Sequence, residues 1–370
     1  MSKINDLIAE YCPDGVEYRE LAELVDYQQP SPYIVSSTNY DDSFSLPVLT
    51  AGQSFILGYS DDDQGIFYAS AERPVIIFDD FTTSFHWVDF DFKVKSSAIK
   101  MLRIKPNVDC SFRYVYYAMS CIQYVPKEHS RQWISIYSTF KIPVPPLPVQ
   151  EEVVRILDSF SSLEAELEAE LEARRKQYAY YRNELLTFDR ERVQWLKLGD
   201  ATFINKGTYI TKKQVIPGNI PVILGGVEPA YWHSESNHDG EGIVISRSGA
   251  NAGFASYWNE PIFVSDGFVL DAKEGVNVRF LFHVLKKEQE KLHSMKRGSG
   301  VPHINSKMLA NDVVVPVPPL EEQHQIVSIL DRFDKLTNDL SSGLPAEIEA
   351  RRKQYEYYRD RLLSFDELAV

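Results

Sequence analysis

Cysteine is scarce in this chain of 370 residues: Cys12, Cys110 and Cys121 are an odd number, with no Cys-x-x-Cys or Cys-x-x-His spacing. That argues against a disulfide framework and against a zinc site, and leaves three reduced thiols expected in the core. Long apolar runs are missing too. Residues 75–78 and 313–315 fall far short of the roughly 20 residues that cross a bilayer. The opening MSKINDLIAEYCPDG carries acids where a secretory signal needs an apolar stretch, so a cytoplasmic protein is expected. There is no GxxxxGK[ST] phosphate loop, which excludes a P-loop motor in this chain. Nor is there an excess of positive charge. The net charge is −14, with −7 on residues 1–143 and +1 on residues 193–315. A nucleic-acid partner must then be held by locally clustered cations, or with phosphate contacts supplied by partner proteins.

What the chain does have is 44% hydrophobic residues, enough for real cores, and an internal repeat. IPVPPLPVQEEVVRILDSF at 142–160 recurs as VPVPPLEEQHQIVSILDRF at 315–333, and ARRKQYAYYRNELLTFD at 173–189 recurs as ARRKQYEYYRDRLLSFD at 350–366. The offsets are 173 and 177, so four residues are added between the blocks. The period is too long for a solenoid and describes a duplicated pair of variable region and helix. Weaker likenesses frame the variable regions. Val16, Tyr18 and Leu21 match Val193, Trp195 and Leu198, and LPVLTAG at 46–52 is similar to IPVILGG at 220–226.

Beyond the Pro-rich run at 143–146, apolar residues fall at Val153, Ile156, Phe160, Leu163 and Leu167, then at Tyr178, Tyr181 and Leu185. This 3-4 spacing predicts a coiled-coil helix over 149–188, about 60 Å long at 1.5 Å per residue. The second copy repeats the pattern but is interrupted by Ser-Ser-Gly-Leu-Pro at 341–345, which predicts a break or kink. A helix of this length needs a partner, and the simplest is its own second copy, packed antiparallel with approximate two-fold symmetry and the variable regions at opposite ends. The variable regions read as α/β. Residues 75–78 and 243–245 predict buried strands, 85–94 an alternating strand, and 112–119 and 278–289 short helices.

The PVPPL…EEQ…I..IL…F block and the ARRKQYxYYRxxLLxFD block, in this order along the whole chain, resemble the specificity subunits of type I restriction-modification systems. One departure is Pro148-Val149-Gln150 where the second copy has Glu321-Glu322-Gln323. The resemblance implies two α/β target recognition domains, residues 1–143 and 193–315, and spacer helices at 144–192 and 316–370. It implies a non-catalytic chain without metal or cofactor, whose partners are double-stranded DNA, two methyltransferase subunits and restriction subunits. The tetrapeptide units LEAE, LEAE and LEAR at 163–174 are similar to the family's length units.

Candidate DNA contacts follow. In the loop 246–253, Arg247, Ser248 and Asn251 offer side chains suited to guanine and adenine edges. In the loop 296–305, Lys296, Arg297, His303 and Asn305 suit phosphates, although a charged helix end capped by Gly298 accounts for the same residues. In the first region, matching Val75 to Ile243 places Asp79, Asp80, Thr82 and Thr83 at the corresponding loop. A structural turn is the expected role for at least one of its two acids, and Lys93, Lys95, Arg131 and Gln132 are the nearest polar groups. His233, Glu235 and His238 read as a solvated loop rather than a metal site. Six tyrosines crowd the helix ends, more than one seam buries; Tyr178, Tyr181, Tyr355 and Tyr358 are the candidates to face a protein partner. The alternatives are a self-sufficient DNA methyltransferase or nuclease, or a coiled-coil scaffold. Against the first, Pro145-Pro146 and Pro318-Pro319 are flanked by Val and Leu, not by the Asn/Asp and aromatic residues of amino-methyltransferases.

Overall fold

The computed structural model describes residues 2–368 apart from Gln53, Val227 and Ser299. The chain divides into two compact units, Met1–Glu166 with Glu349–Val370, and Leu167–Ile348. Both are mixed α/β and both carry the same topology. In the first, a four-stranded antiparallel sheet has the order Val25–Gln28, Ile99–Ile104, Val75–Asp79, Phe85–Val88. A three-stranded sheet has the order Ile56–Ser60, Leu46–Leu49, Lys93–Val94. The second unit repeats these as Thr202–Lys206, Gly267–Ala272, Gly242–Ser246, Ala255–Trp258, and as Tyr231–His233, Ile220–Ile223, Phe263–Val264.

Strand faces explain the apolar runs. Ile76 and Phe78 enter the core built on helix Phe112–Met119, while Val75 and Ile77 enter the smaller core with residues of the three-stranded sheet. Ile243 and Ile245 divide from Val244 in the same way. Strands covered on both faces need no polar alternation. The ladders also correct the register. Ile76 pairs with Leu102 where Ile243 pairs with Leu270, so Ile76, not Val75, is the counterpart of Ile243; a one-residue slip exchanges the two faces. The alternating stretch 85–94 is likewise two strands, Phe85–Val88 and Lys93–Val94, in different sheets. Alternation reports which residues point inward and cannot report which sheet receives them.

Each variable region opens and closes on one two-stranded ribbon, Glu17–Glu20 with Lys141–Val144 and Gln194–Lys197 with Val314–Val317. Pro143 and Pro316 sit in these ribbons, where a missing N–H is tolerated. Just beyond, a fully buried glutamine fastens the helix. Gln150 Nε2 donates to Pro145 O at 2.7 Å and its Oε1 accepts from Ser111 N at 2.8 Å. Gln323 Nε2 donates to Pro318 O at 2.7 Å and Gly275 O at 2.9 Å, and its Oε1 accepts from Asn277 N at 2.8 Å. Ser111 and Asn277 are the N-caps of helices Phe112–Met119 and Val278–Lys287. One amide therefore joins the proline turn, the start of the spacer helix and the cap of the domain helix. Ion pairs repeat the connection about two turns on, with Arg113 at 2.8 Å from Asp158 and Arg279 at 2.7 Å from Asp331 and 2.8 Å from Asp334.

The long helix runs from Leu147 to Leu185. The second copy is broken into Leu320–Asn338 and Leu344–Leu362, as the Gly/Pro interruption predicts. A Cβ on Gly343 would lie 2.5 Å from Lys335 O and 2.8 Å from Asp339 O, so only glycine allows this close turn. Helix pairing within each unit is antiparallel. Phe160 stacks on Tyr358 and Glu164 meets Arg352 in the first, while Tyr178 and Tyr181 stack on Phe333 and Arg192 meets Glu322 in the second. Both cores run from the sheet into these helices, through Val149, Val153, Leu157 and Leu362 or through Tyr178, Leu186, Ile326 and Leu330. The chain ends meet in the first unit, where Val16 N donates to Asp366 O at 2.9 Å and Tyr18 Oη to Phe365 O at 2.8 Å. The matching junction of the second unit, 189–193, is covalent. No helix among the described residues is long and apolar enough to cross a membrane.

Replacing Gln323 by Leu keeps a similar volume but leaves the part-buried amide of Asn277 and the buried carbonyl of Pro318 without their partner. Denaturant unfolding should show a loss of roughly 1–3 kcal/mol; an unchanged midpoint would mean that these groups find other partners.

Candidate nucleic-acid interface

In the second unit, the two candidate loops form one surface. Gly249 N donates to Pro302 O at 2.9 Å, Ile304 N to Arg247 O at 2.8 Å, and Lys296 Nζ to Ala250 O at 2.6 Å. Gly249 has φ 82°, a left-handed conformation that lets the loop turn this tightly. Arg297 and His303 exchange backbone hydrogen bonds of 3.0 and 2.9 Å, so residues 296–305 are a hairpin and not a capped helix end. Arg297, His303, Asn251 and Asn305 are exposed. The Asn305 side-chain oxygen caps helix Ser306–Asp312 by accepting from Lys307 N. Arg247 is partly exposed, its Nε 2.9 Å from Asp266, which also accepts from the Ser248 hydroxyl. Arg247, Ser248, His303 and Asn305 line an open concavity of about 510 Å³ together with Lys206. The sequence reading missed Lys206 and Asp266. Neither lies in a motif, and only the ladder of Thr202–Lys206 with Gly267–Ala272 brings their strands together.

The first unit corrects more of the expectations. Lys93 is buried, donates to Gln64 O at 2.7 Å and pairs with Asp62 at 2.7 Å. The hydrogen bonds from Lys93 and Ser36 hold the Asp62 carboxyl down at about 2, and this ammonium is not available to DNA. Gln132 is also buried; its amide donates to Ser130 O and accepts from Tyr124 Oη. Thr83 is a buried turn residue at φ 61°, its hydroxyl donating to Thr82 O. Both acids of the turn are structural. Asp79 accepts from Phe81 N and Thr82 N, and the buried Asp80 meets Lys100, Arg131 and the amides of Gln132 and Trp133. Thr82, Lys95 and Arg131 remain exposed.

The helix tyrosines divide. Tyr178 is buried, and burial pushes its hydroxyl up to about 12. Tyr355 and Tyr358 pack at the edge of the first core, and Tyr181 stacks on Phe333 while staying 38% exposed. The most exposed are Tyr180 and Tyr357, at 61% and 58%, which are equivalent under the offset of 177. The free thiols Cys110 and Cys121 are both raised by burial to about 11. His233 is a buried strand residue whose Nδ1 lies 3.0 Å from Ile216 N, not part of a solvated loop. Among the described residues no group of three metal-ligating side chains converges.

The chain is one α/β topology built twice, each copy carrying polar loops of different sequence and running into a helix of the spacer pair. The sequence matches the family described as "Type I restriction modification DNA specificity domain" twice, over residues 13–173 and 191–350. It is 41% identical to the specificity subunit of the type I restriction enzyme EcoR124I/EcoR124II from Escherichia coli, across 95% of each chain. It is 33% identical to a putative type I restriction enzyme specificity subunit from Haemophilus influenzae, across 68% of this chain and 72% of the other. The fold is similar to the crystal structure of the type I S subunit from M. genitalium, with a TM-score of 0.68, 16% identity, and coverage of 94% and 96%. The chain belongs to the type I restriction-modification specificity subunits.

Arg297 is exposed on this surface and its side chain is unengaged. In salt titrations of DNA binding by the assembled enzyme, Arg297→Ala should weaken binding to all sequences alike and flatten the log–log salt slope by about 1. An unchanged slope would remove Arg297 from the phosphate-contacting set.

Proposed function

We propose that the chain is the non-catalytic, cytoplasmic DNA-reading subunit of a type I restriction-modification enzyme. The recognition domains, residues 1–143 and 193–315, each read one half of a split target in double-stranded DNA. The spacer helices, residues 144–192 and 316–370, set the distance between the halves and dock two methyltransferase subunits, and restriction subunits join that core. The observation that carries this reading is a single topology built twice with different exposed loops: Thr82, Lys95 and Arg131 in one copy, and Arg247, Ser248, Asn251, Lys296, Arg297, His303 and Asn305 in the other. Two unlike half-sites require such an arrangement. Tyr181, Tyr358, Tyr180 and Tyr357 are the aromatics offered to protein partners, since tyrosine is enriched at interfaces.

The charge of −14 implies that most phosphate contacts come from those partners. The purified chain should transfer no label from a methyl donor to DNA and should bind a split-site duplex weakly. Adding methyltransferase subunits should produce both tight binding and methylation. Methyl transfer by the chain alone, free of partner, would overturn the assignment.

A further inference from the structure

Backbone hydrogen bonds align the two recognition loops where their sequences do not. Asp80 N donates to Ala98 O at 2.8 Å as Arg247 N donates to Asp266 O at 3.1 Å, and Gln132 N donates to Asp80 O at 2.8 Å as Ile304 N donates to Arg247 O at 2.8 Å. Asp80 therefore takes the place of Arg247, Ala98 that of Asp266, and Arg131 that of His303. Around this shared position each unit holds an arginine against an aspartate, the position itself being the acid in the first unit and the base in the second, with partners drawn from non-equivalent positions. Arg131 Nη1 lies 3.1 Å from Asp80, and Arg247 Nε lies 2.9 Å from Asp266. Both guanidinium groups stay partly open, with side chains 49% and 37% exposed. Arg131 Nη1 also donates to Ser97 O at 3.4 Å, whereas Arg247 Nε, though close to Asp266, makes no hydrogen bond.

We propose that this aspartate-held arginine is the guanine reader of each recognition domain. The inference rests on the proposed DNA-reading role and assigns the base at that site. A planar guanidinium presents N–H groups matched to O6 and N7 of guanine, and no other base offers two acceptors at that spacing in the major groove. Asp80 accepts a hydrogen bond from Arg131 Nη1 and Asp266 holds Arg247 as an ion pair without accepting from its Nε, so each arginine is restrained before DNA arrives, which lowers the ordering cost on binding. They also offset the cation's charge, so that the pair favours a directed base contact over indiscriminate attraction to phosphate. Ser248 reinforces the arrangement by donating to Asp266. In the first domain, the Arg131 guanidinium lies 5.8 Å from the centre of the Phe81 ring, a second restraint on its orientation.

The test is methylome sequencing of cells carrying the complete enzyme with the parent chain or with Arg247→Ala, Arg247→Lys, Asp266→Asn or Arg131→Ala, each checked for co-purification with its methyltransferase subunit. Arg247→Ala and Arg247→Lys should lose discrimination at one G·C pair of one half-site, by roughly 5- to 150-fold, and leave the other half intact. Lys keeps the charge beside Asp266 and lacks the fork, so it separates base reading from folding. Asp266→Asn should relax the same pair to a smaller degree, and Arg131→Ala should relax one G·C pair in the opposite half. Uniformly weaker modification with an unchanged motif, or relaxation at an A·T pair, would overturn the assignment. A parent enzyme that modifies no split target would instead overturn the DNA-reading role beneath it.

Discussion

A single buried amide, Gln150 in one unit and Gln323 in the other, ties the direction of the spacer helix to the recognition fold. Its two ends satisfy a carbonyl of the Pro-Pro turn and the amide of the domain helix's N-cap. The carbonyls are buried and the N-cap amides part-buried, so the glutamine cannot be lost cheaply. The departure between Pro148-Val149 and Glu321-Glu322 is harmless for that reason: the residue that fastens the helix is the shared third one. Arg113 with Asp158 and Arg279 with Asp331 then clamp the helix about two turns on. The start of each spacer helix is thereby tied to the cap of a helix in its recognition fold.

Electrostatics follow from the same local economy of partners. Several acids beside the candidate loops are committed within the fold: Asp62 to Lys93, Asp79 to a turn, Asp80 to Lys100 and Arg131, Asp266 to Arg247. Net charge counts each of them fully, whereas Asp62, Asp80 and Asp266 already face a cation at short range. Arg297 and Lys95 are exposed and Arg247 is partly so. Such a surface can discriminate bases, while most of the binding strength is left to other subunits.

Much of this was legible in the sequence because the repeat carries its own alignment: the duplication, the long helix, its break near Gly343 and the small helices at 112 and 278 all emerged from pattern and spacing. The strand register did not, since Val75 and Ile76 are equally apolar and only the ladder distinguishes the faces they occupy. Lys93 and Gln132 look like surface polar residues in sequence. Their burial depends on Asp62, Gln64, Tyr124 and Ser130, none of which has a motif to announce it. Tyr178 and Tyr180 sit two positions apart in the same aromatic cluster, and helix rotation alone sends one inward and the other out. The meeting of loops 246–253 and 296–305 is likewise a tertiary fact, written in backbone hydrogen bonds that any residue type could make.

The central claim is that each unit reads its own half of the target while the helices set only the separation. It is tested most directly by replacing residues 193–315 with the matching segment of a relative of different specificity, keeping Gln323 and both spacer helices intact, and sequencing the methylome made by the resulting enzyme. The account predicts that one half-site changes to the donor's sequence, while the other half and the spacer stay as they were. Altered bases in both halves, in an active enzyme, would contradict it.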